Sequence, residues 1–435
     1  MPRLDESRRK WLCRRAFVLL CLVPTLAVAA MSVSRETAAH REAFERAAAE
    51  HTGLTARIGR VTHPAPRMVL FEGLELVDPL SRAVVARARA VEWAVIEGVA
   101  RVHLSQAEFE AAHAPRLWGW IERRLRGEPP LGALAMRVSA DSLTWKHADA
   151  SQTFIQLDCR LDAIDAGREF DAAFRLADTP AAEPAEVRVV RGAMGDGGTQ
   201  YSFSTGGAAL PVSIFAPLVD ARPLLGPRAM FLGSLAIDAR DGGWDGDLFG
   251  RLIEVDLGRL VADRFPHKLA GAATVEVALA RFEGGKLVEA EGRLAAGPGV
   301  VGRSLIESAR THLGLLGSDL PADRDVLPYT ELAAGFFARG GELKLVGRAT
   351  SGAPGGILVD GRASYLVEPE RAATTLVNLL RALSPANEHQ VPATAASEAL
   401  MRALPLAPIA QPATNEPPRA HPRVGEVLPS ASDPP

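Results

Sequence analysis

The sequence predicts a mainly β fold: an extended antiparallel meander, either rolled up or forming a groove, with an N-terminal transmembrane helix and a few amphipathic helices. Three observations predict it. One uncharged stretch near the N-terminus is long enough to cross a bilayer. Beyond it, apolar residues recur at every second position for most of the chain. Glycine-centred turn signals separate these runs at short intervals, which suits strands joined in sequence and not βαβ units.

The uncharged stretch is Ala16–Ser34, AFVLLCLVPTLAVAAMSVS, and its anchoring residues are Phe17, Val18, Leu19, Leu20, Leu22, Val23 and Leu26. As a helix it is about 28 Å long, enough for the hydrocarbon core of a bilayer. Arg3, Arg8, Arg9, Lys10, Arg14 and Arg15 crowd its N-terminal flank. Such a cluster holds residues 1–15 on the cytoplasmic side and places the remaining chain across the inner membrane. A cleaved signal peptide is the alternative, because Ala27-Val28-Ala29 has the small-x-small form of a processing site. The length of the apolar run, and its continuation into the Ala-rich helical stretch Arg35–Glu50, favour an uncleaved anchor. Residues 35–50 then read as a linker helix and 51–383 as the β-rich body. Residues 384–435, dominated by Pro and Ala, read as a disordered tail with a short helix conceivable over Thr394–Leu404.

With a net charge of −3 and no basic stripe, the chain excludes nucleic acid as a partner. Of three cysteines, Cys13 and Cys21 belong to the N-terminal segment, leaving Cys159 without a partner in the exported part. The lack of a disulfide framework suits a bacterial envelope better than a eukaryotic extracellular space. Cys159 lies inside the alternating run Thr153–Leu161 and reads as a small strand residue.

Strands with one apolar face are predicted over Arg57–Val61, Met68–Val77, Val84–Val95, Ala135–Trp145, Thr153–Ile164, Glu169–Leu176, Ala185–Val190 and Gln200–Ser204. Further runs are Phe231–Ala239, Asp247–Val255, Ala272–Phe282, Lys286–Ala295, Glu342–Ala349 and Ile357–Val367. Turn signals include Asp78-Pro79, Asp196-Gly197-Gly198, Asp241-Gly242-Gly243, Glu283-Gly284-Gly285 and Arg339-Gly340-Gly341. Consecutive strands so joined are expected to pair antiparallel. Helices are predicted over Gln106–Arg126, Ser304–Leu316 and Arg371–Leu383. Trp118 and Trp120 in the first of these fit a packed face better than a membrane interface.

Gly53-Leu-Thr-Ala-Arg-Ile-Gly-Arg-Val, then Met68-Val-Leu-Phe-Glu-Gly-Leu-Glu-Leu-Val-Asp-Pro and the strand Val84–Trp93, all after a single N-terminal span, resemble the start of AsmA-like envelope proteins. Gly233-Ser-Leu-Ala-Ile, Asp245–Gly250, Val255-Asp-Leu-Gly-Arg-Leu, Ala270-Gly-Ala-Ala-Thr-Val-Glu-Val-Ala and Glu289-Ala-Glu-Gly-Arg-Leu are similar to the C-terminal portion of the same AsmA/TamB superfamily. The likeness covers roughly residues 11–368 and rests on pattern. It implies a periplasmic β-rich body on an inner-membrane anchor, with outer-membrane assembly components or phospholipid acyl chains as partners.

No motif in the sequence carries catalytic chemistry. Gly297-Pro-Gly-Val-Val-Gly302 satisfies G-x-G-x-x-G, but a dinucleotide site needs a parallel βαβ unit around it, and a glycine turn into a helix explains it. Asp241-Gly-Gly-Trp-Asp-Gly-Asp247 gathers carboxylates without the spacing of an EF-hand and reads as a hairpin. The histidines form no metal motif, and His267 reads as a structural residue. No cofactor, metal or catalytic residue is expected. Two functions remain: an AsmA-type protein that carries phospholipid along an apolar β groove or aids outer-membrane assembly, and a tethered scaffold with a closed β core and a partner-recruiting tail.

Overall fold

A computed structural model describes residues 6–127, 135–147, 150–165, 167–179, 183–192, 198–215, 221–240, 243–361, 363–369 and 373–384. The predicted tail, beyond Ser384, lies outside the described residues, as do Arg3, Asp196-Gly197 and Asp241-Gly242.

The chain opens with α1 (Glu6–Phe17) and α2 (Val23–Arg35), continuous through a π-helical turn at Val18–Leu22. After a break at Glu36-Thr37 comes α3 (Ala38–Thr52), where the Thr37 hydroxyl accepts the His40 amide and Gly53, at φ +72°, closes the C-terminus. The linker helix therefore begins three residues later than its sequence suggests, because Thr37 is the better N-cap.

Four antiparallel strands follow: β1 (Thr55–Ala65), β2 (Met68–Val77), β3 (Val84–Ile96) and β4 (Val99–Glu110). Asp78 fixes the β2–β3 loop by accepting from the Leu80 and Ser81 amides and the Ser81 hydroxyl. Here the structure departs from the expected helix over Gln106–Arg126. Residues 106–110 are strand, and the helix, α4, spans only Ala114–Leu125 with Pro115 in its first turn. Gln106 sits at φ +49°, a backbone kink at which the apolar alternation moves by one while the register stays unbroken, and Ala107 and Phe109 oppose Ala88 and Ala86 on the neighbouring strand. Arg116 of α4 reaches Asp78 at 2.8 Å and ties the helix to the β2–β3 loop.

The next strand, β5 (Ala135–His147), pairs parallel with β4, the one departure from antiparallel order among the described pairings. The helix between them supplies the long crossover that a parallel pair requires. Antiparallel order then resumes through β6 (Ala150–Ile164), β7 (Gly167–Leu176), β8 (Ala185–Gly192) and β9 (Thr199–Ser204). A loop carrying the short β10 (Leu210–Pro211) and α5 (Arg222–Leu225) leads to β11 (Met230–Arg240), which pairs with β9, and to β12 (Gly243–Asp256).

In the C-terminal part, β13 (Leu269–Ala270) precedes β14 (Ala272–Glu283) and β15 (Lys286–Ala296), joined at the predicted Gly284-Gly285 turn. Then come β16 (Gly299–Gly302), α6 (Arg303–Leu313), β17 (Val326–Tyr329), β18 (Glu331–Arg339) and β19 (Glu342–Gly347). The chain ends with β20 (Gly356–Asp360), β21 (Ala363–Val367), β22 (Thr374–Thr375) and α7 (Leu376–Leu383). The strands β17 and β18 had no counterpart in the sequence reading, and α7 starts five residues later than expected because Thr375 caps it.

Strands β1–β9, β11, β12, β14, β15, β18 and β19 lie side by side in one sheet, whose contour is about 70 Å at 4.8 Å per strand. Strands β13, β16 and β17 form a small second sheet. The largest dry core lies at that C-terminal end, where Ile306 and Ala309 of α6 meet Leu327, Tyr329 and Leu358.

Candidate functional site

The cross-strand register sorts the main sheet into two chemically distinct faces. One lane of directly opposed residues runs Val69, Trp93, Val102, Val138, Cys159, Ala172 and Val187. It continues through Phe203, Leu235, Leu248, Ala280, Ala290, Ala338 and Leu343. From β2 to β19 the lane contains no polar side chain. Opposed residues share a face, so period-2 patterning in each strand adds up to a continuous apolar surface.

One position along each strand, from β12 to β19, the other face alternates charge. Asp247, Arg281, Glu289, Arg339 and Glu342 are successive neighbours, with Arg281 at 3.2 Å from Asp247 and 3.6 Å from Glu289. The exposed Arg281–Asp247 pair contributes about 0–1 kcal/mol. The main effect of the alternating charges is to hold that face in water.

Helices and loops cover the apolar face only in places. Phe44 of α3 packs on Phe71, and Ile121 and Leu125 of α4 pack on Val189. Trp118 lies 6.1 Å from Tyr201 and the Trp120 indole donates to the His51 carbonyl, so both tryptophans belong to packing, as their spacing suggested. Phe215 meets Phe203 edge-on, and α7 lays Leu376 over Ala290 and Leu343. Between these covers Val102, Val138, Leu235 and Leu248 stay half-buried, and Trp93 is exposed. Cys159 is on this apolar face, where burial first and the Asp158 charge second push its thiol up to about 12.

Among the described residues one helix, Lys10–Arg35, is long and apolar enough to cross a membrane, by length and composition. Its 26 residues span about 39 Å, and none of its most apolar window is buried against the protein. The predicted anchoring residues Phe17, Val18, Leu19, Leu20, Leu22, Val23 and Leu26 are all exposed, Leu20 by 75%. A core helix would bury such a stripe. Lys10, Arg14 and Arg15 are on its N-terminal side, and Arg15 stacks on the Trp11 ring at 3.6 Å. Arg8 and Arg9 belong to the same helix, with side chains outside the described residues.

On the polar face, a hollow of about 640 Å³ brings together residues that sequence reading kept apart. The Ser139 hydroxyl is 3.0 Å from His103 Nδ1, and His103 Nε2 is 3.4 Å from Asp141. Arg137 lies alongside, held by Asp158 through two bonds of 2.8 Å. The trio depends on the parallel β4–β5 pair, which sets His103 opposite Ser139 across 36 residues of sequence. It has the members of a serine triad in a setting that favours a structural role. Asp141 is 69% exposed, so water competes for its bond to the imidazole. Residues 136–140 of β5 pair with a strand on each side, which commits the backbone beside Ser139 to the sheet and not to an oxyanion. A fluorophosphonate probe is therefore expected to leave Ser139 unlabelled; an adduct that disappears in Ser139→Ala would contradict this.

The other motifs resolve into structure. His267 is buried; its Nε2 donates to the Ala382 carbonyl at 3.0 Å while Nδ1 accepts from Ser304, and Ser308 donates to the same carbonyl. Burial pushes this imidazole pKa down and keeps it neutral. The G-x-G-x-x-G run ends in β16, which pairs antiparallel with β13 and β17, so the parallel unit a dinucleotide needs is not there. A Cβ at Gly299 would strike the Ala270 carbonyl and the Tyr329 ring, which explains that glycine. Asp245 accepts from the Gly284 amide and Asp247 pairs with Arg281. Among the described residues no group of three His, Cys, Asp or Glu side chains is placed to hold a metal ion.

No family model matches this chain, and searches of curated proteins and of solved structures found no match.

Proposed function

We propose that this is a non-catalytic envelope protein of AsmA type, anchored in the bacterial inner membrane by Lys10–Arg35, whose periplasmic sheet carries phospholipid acyl chains along its apolar face. The observation that carries this reading is the polar-free lane from Val69 to Leu343, half-open at Val102, Val138, Leu235 and Leu248. A surface of this kind needs an apolar occupant, and acyl chains pack along it without leaving unpaired hydrogen-bonding groups. The charge-alternating opposite face from β12 to β19 supports a sheet with one greasy side and one wet side. The exposed helix supports tethering, and the Arg and Lys cluster before it supports a cytoplasmic N-terminus. A role in outer-membrane assembly is compatible with the same surface through the lipid it delivers.

Extraction of the detergent-purified full chain, followed by mass spectrometry of the lipids, tests the proposal. Phospholipid is expected to co-purify with the wild type and to fall several-fold in Leu248→Lys. A lipid-free wild type would remove the carriage reading and leave the tethered scaffold.

A further inference from the structure

The end of the sheet next to the anchor can be identified from side-chain contacts. Arg35 is the last residue of α2, and His40 is in the first turn of α3. His40 Nε2 lies 3.0 Å from His63 Nε2 near the end of β1. The His63 imidazole is pushed down by burial and then by the charges of Arg35 and His40. The β1–β2 turn, Pro64–Arg67, therefore sits beside the exit of the spanning helix.

Register carries this position across the sheet. Ala65 opposes Met68, Met68 opposes Ala94, and Ala94 opposes Arg101, so the β3–β4 turn at Ile96–Val99 is on the same rim. Two strand spacings, about 10 Å, separate β1 from β3. That rim is unusual in its exposed apolar groups: Ile96 is 41% exposed beside the tip of its turn, and Trp93 is 36% exposed where the apolar face reaches the same end. Arg67 and Arg101 flank them as cations and Glu97 as an anion, so the local charge is mixed.

We propose that this rim rests in the headgroup layer of the bilayer that holds the anchor, with Ile96 as its apolar contact and Trp93 marking where the apolar face opens onto the lipid. The inference rests on the reading of Lys10–Arg35 as a membrane span. An exposed isoleucine and tryptophan within a few strand widths of a membrane exit bury apolar area by entering the interface, and a Trp ring suits that depth. Because the flanking charges are of both signs, the contact depends on apolar insertion. It does not require anionic lipid.

The opposite end of the same strand pair provides the control. Leu80, in the β2–β3 loop, is 87% exposed and lies about 40 Å along the strands from Ile96. Full-length protein is reconstituted into phosphatidylcholine vesicles with a polarity-sensitive fluorophore on a single reactive cysteine. Cys159, half-buried on the apolar face, is replaced by alanine in every variant. Ile96→Cys and Leu80→Cys are made in a Cys13→Ser/Cys21→Ser background, and Cys21 alone, in Cys13→Ser, reports on the anchor. A nitroxide placed high on the acyl chain is expected to quench Ile96→Cys several-fold more than Leu80→Cys, equally with and without phosphatidylglycerol. Quenching at Cys21 with equal or no quenching at the two loop positions overturns the rim contact and spares the anchor. Absence of quenching at Cys21 overturns both.

Discussion

Arginine at both Leu20 and Leu22 is expected to release the full chain from membranes. Each replacement at the centre of a spanning helix costs about 2.5–3.5 kcal/mol, and the pair on the order of 6 kcal/mol, enough to abolish stable insertion of one helix. Both positions are exposed in the folded protein, so the substitutions break no packing and act through the bilayer alone. Recovery of the chain in the membrane pellet after alkaline carbonate extraction measures the effect. Leu80→Arg, at another exposed leucine, should leave recovery unchanged. A double variant that stays in the pellet would show that this helix is not what holds the protein to membranes.

The second large effect is on stability. Ile306 on α6 is 0% exposed within the C-terminal core, and Ile306→Ala is expected to cost about 2–5 kcal/mol through lost burial and a residual cavity. Val300 on the adjoining β16 is 41% exposed, and Val300→Ala should change stability by no more than about 0.5 kcal/mol. Denaturant unfolding of the two variants separates them. Equal effects would mean that the C-terminal part is not the dry core described above, and that its sheet too is open to an occupant.

The long apolar helix was legible because it needs no tertiary information: a run of uncharged residues is a property of a bare chain. Most strands were legible for a similar reason, since apolar residues at every second position have only one easy use. Reading failed where the alternation is locally broken or has no contrast. At Gln106 a left-handed backbone kink advances the apolar pattern by one residue, so Ala107 and Phe109 looked like the start of the helix that follows. In Glu331–Arg339 both faces are apolar, with Leu332, Ala334 and Phe336 on one and Ala333 and Phe337 on the other, and no period is visible. The parallel β4–β5 pair, and with it the meeting of His103, Ser139 and Asp141, depends on where α4 lands on the sheet. No local signal encodes that.

The same limit applies to the apolar face. Each strand announces that one of its sides is greasy, but only register shows that these sides join into one lane and that the covers over it are incomplete. The proposed carriage depends on that continuity, and it predicts a sharp difference between adjacent residues of the same strand. A photoreactive benzoylphenylalanine at Leu248, on the apolar lane, or at Asp247, on the charged face, tests it most directly in full-length protein expressed in cells. Crosslinks to phospholipid at position 248 with none at 247 are the predicted result. Lipid adducts at both positions alike, or at neither, would contradict the account.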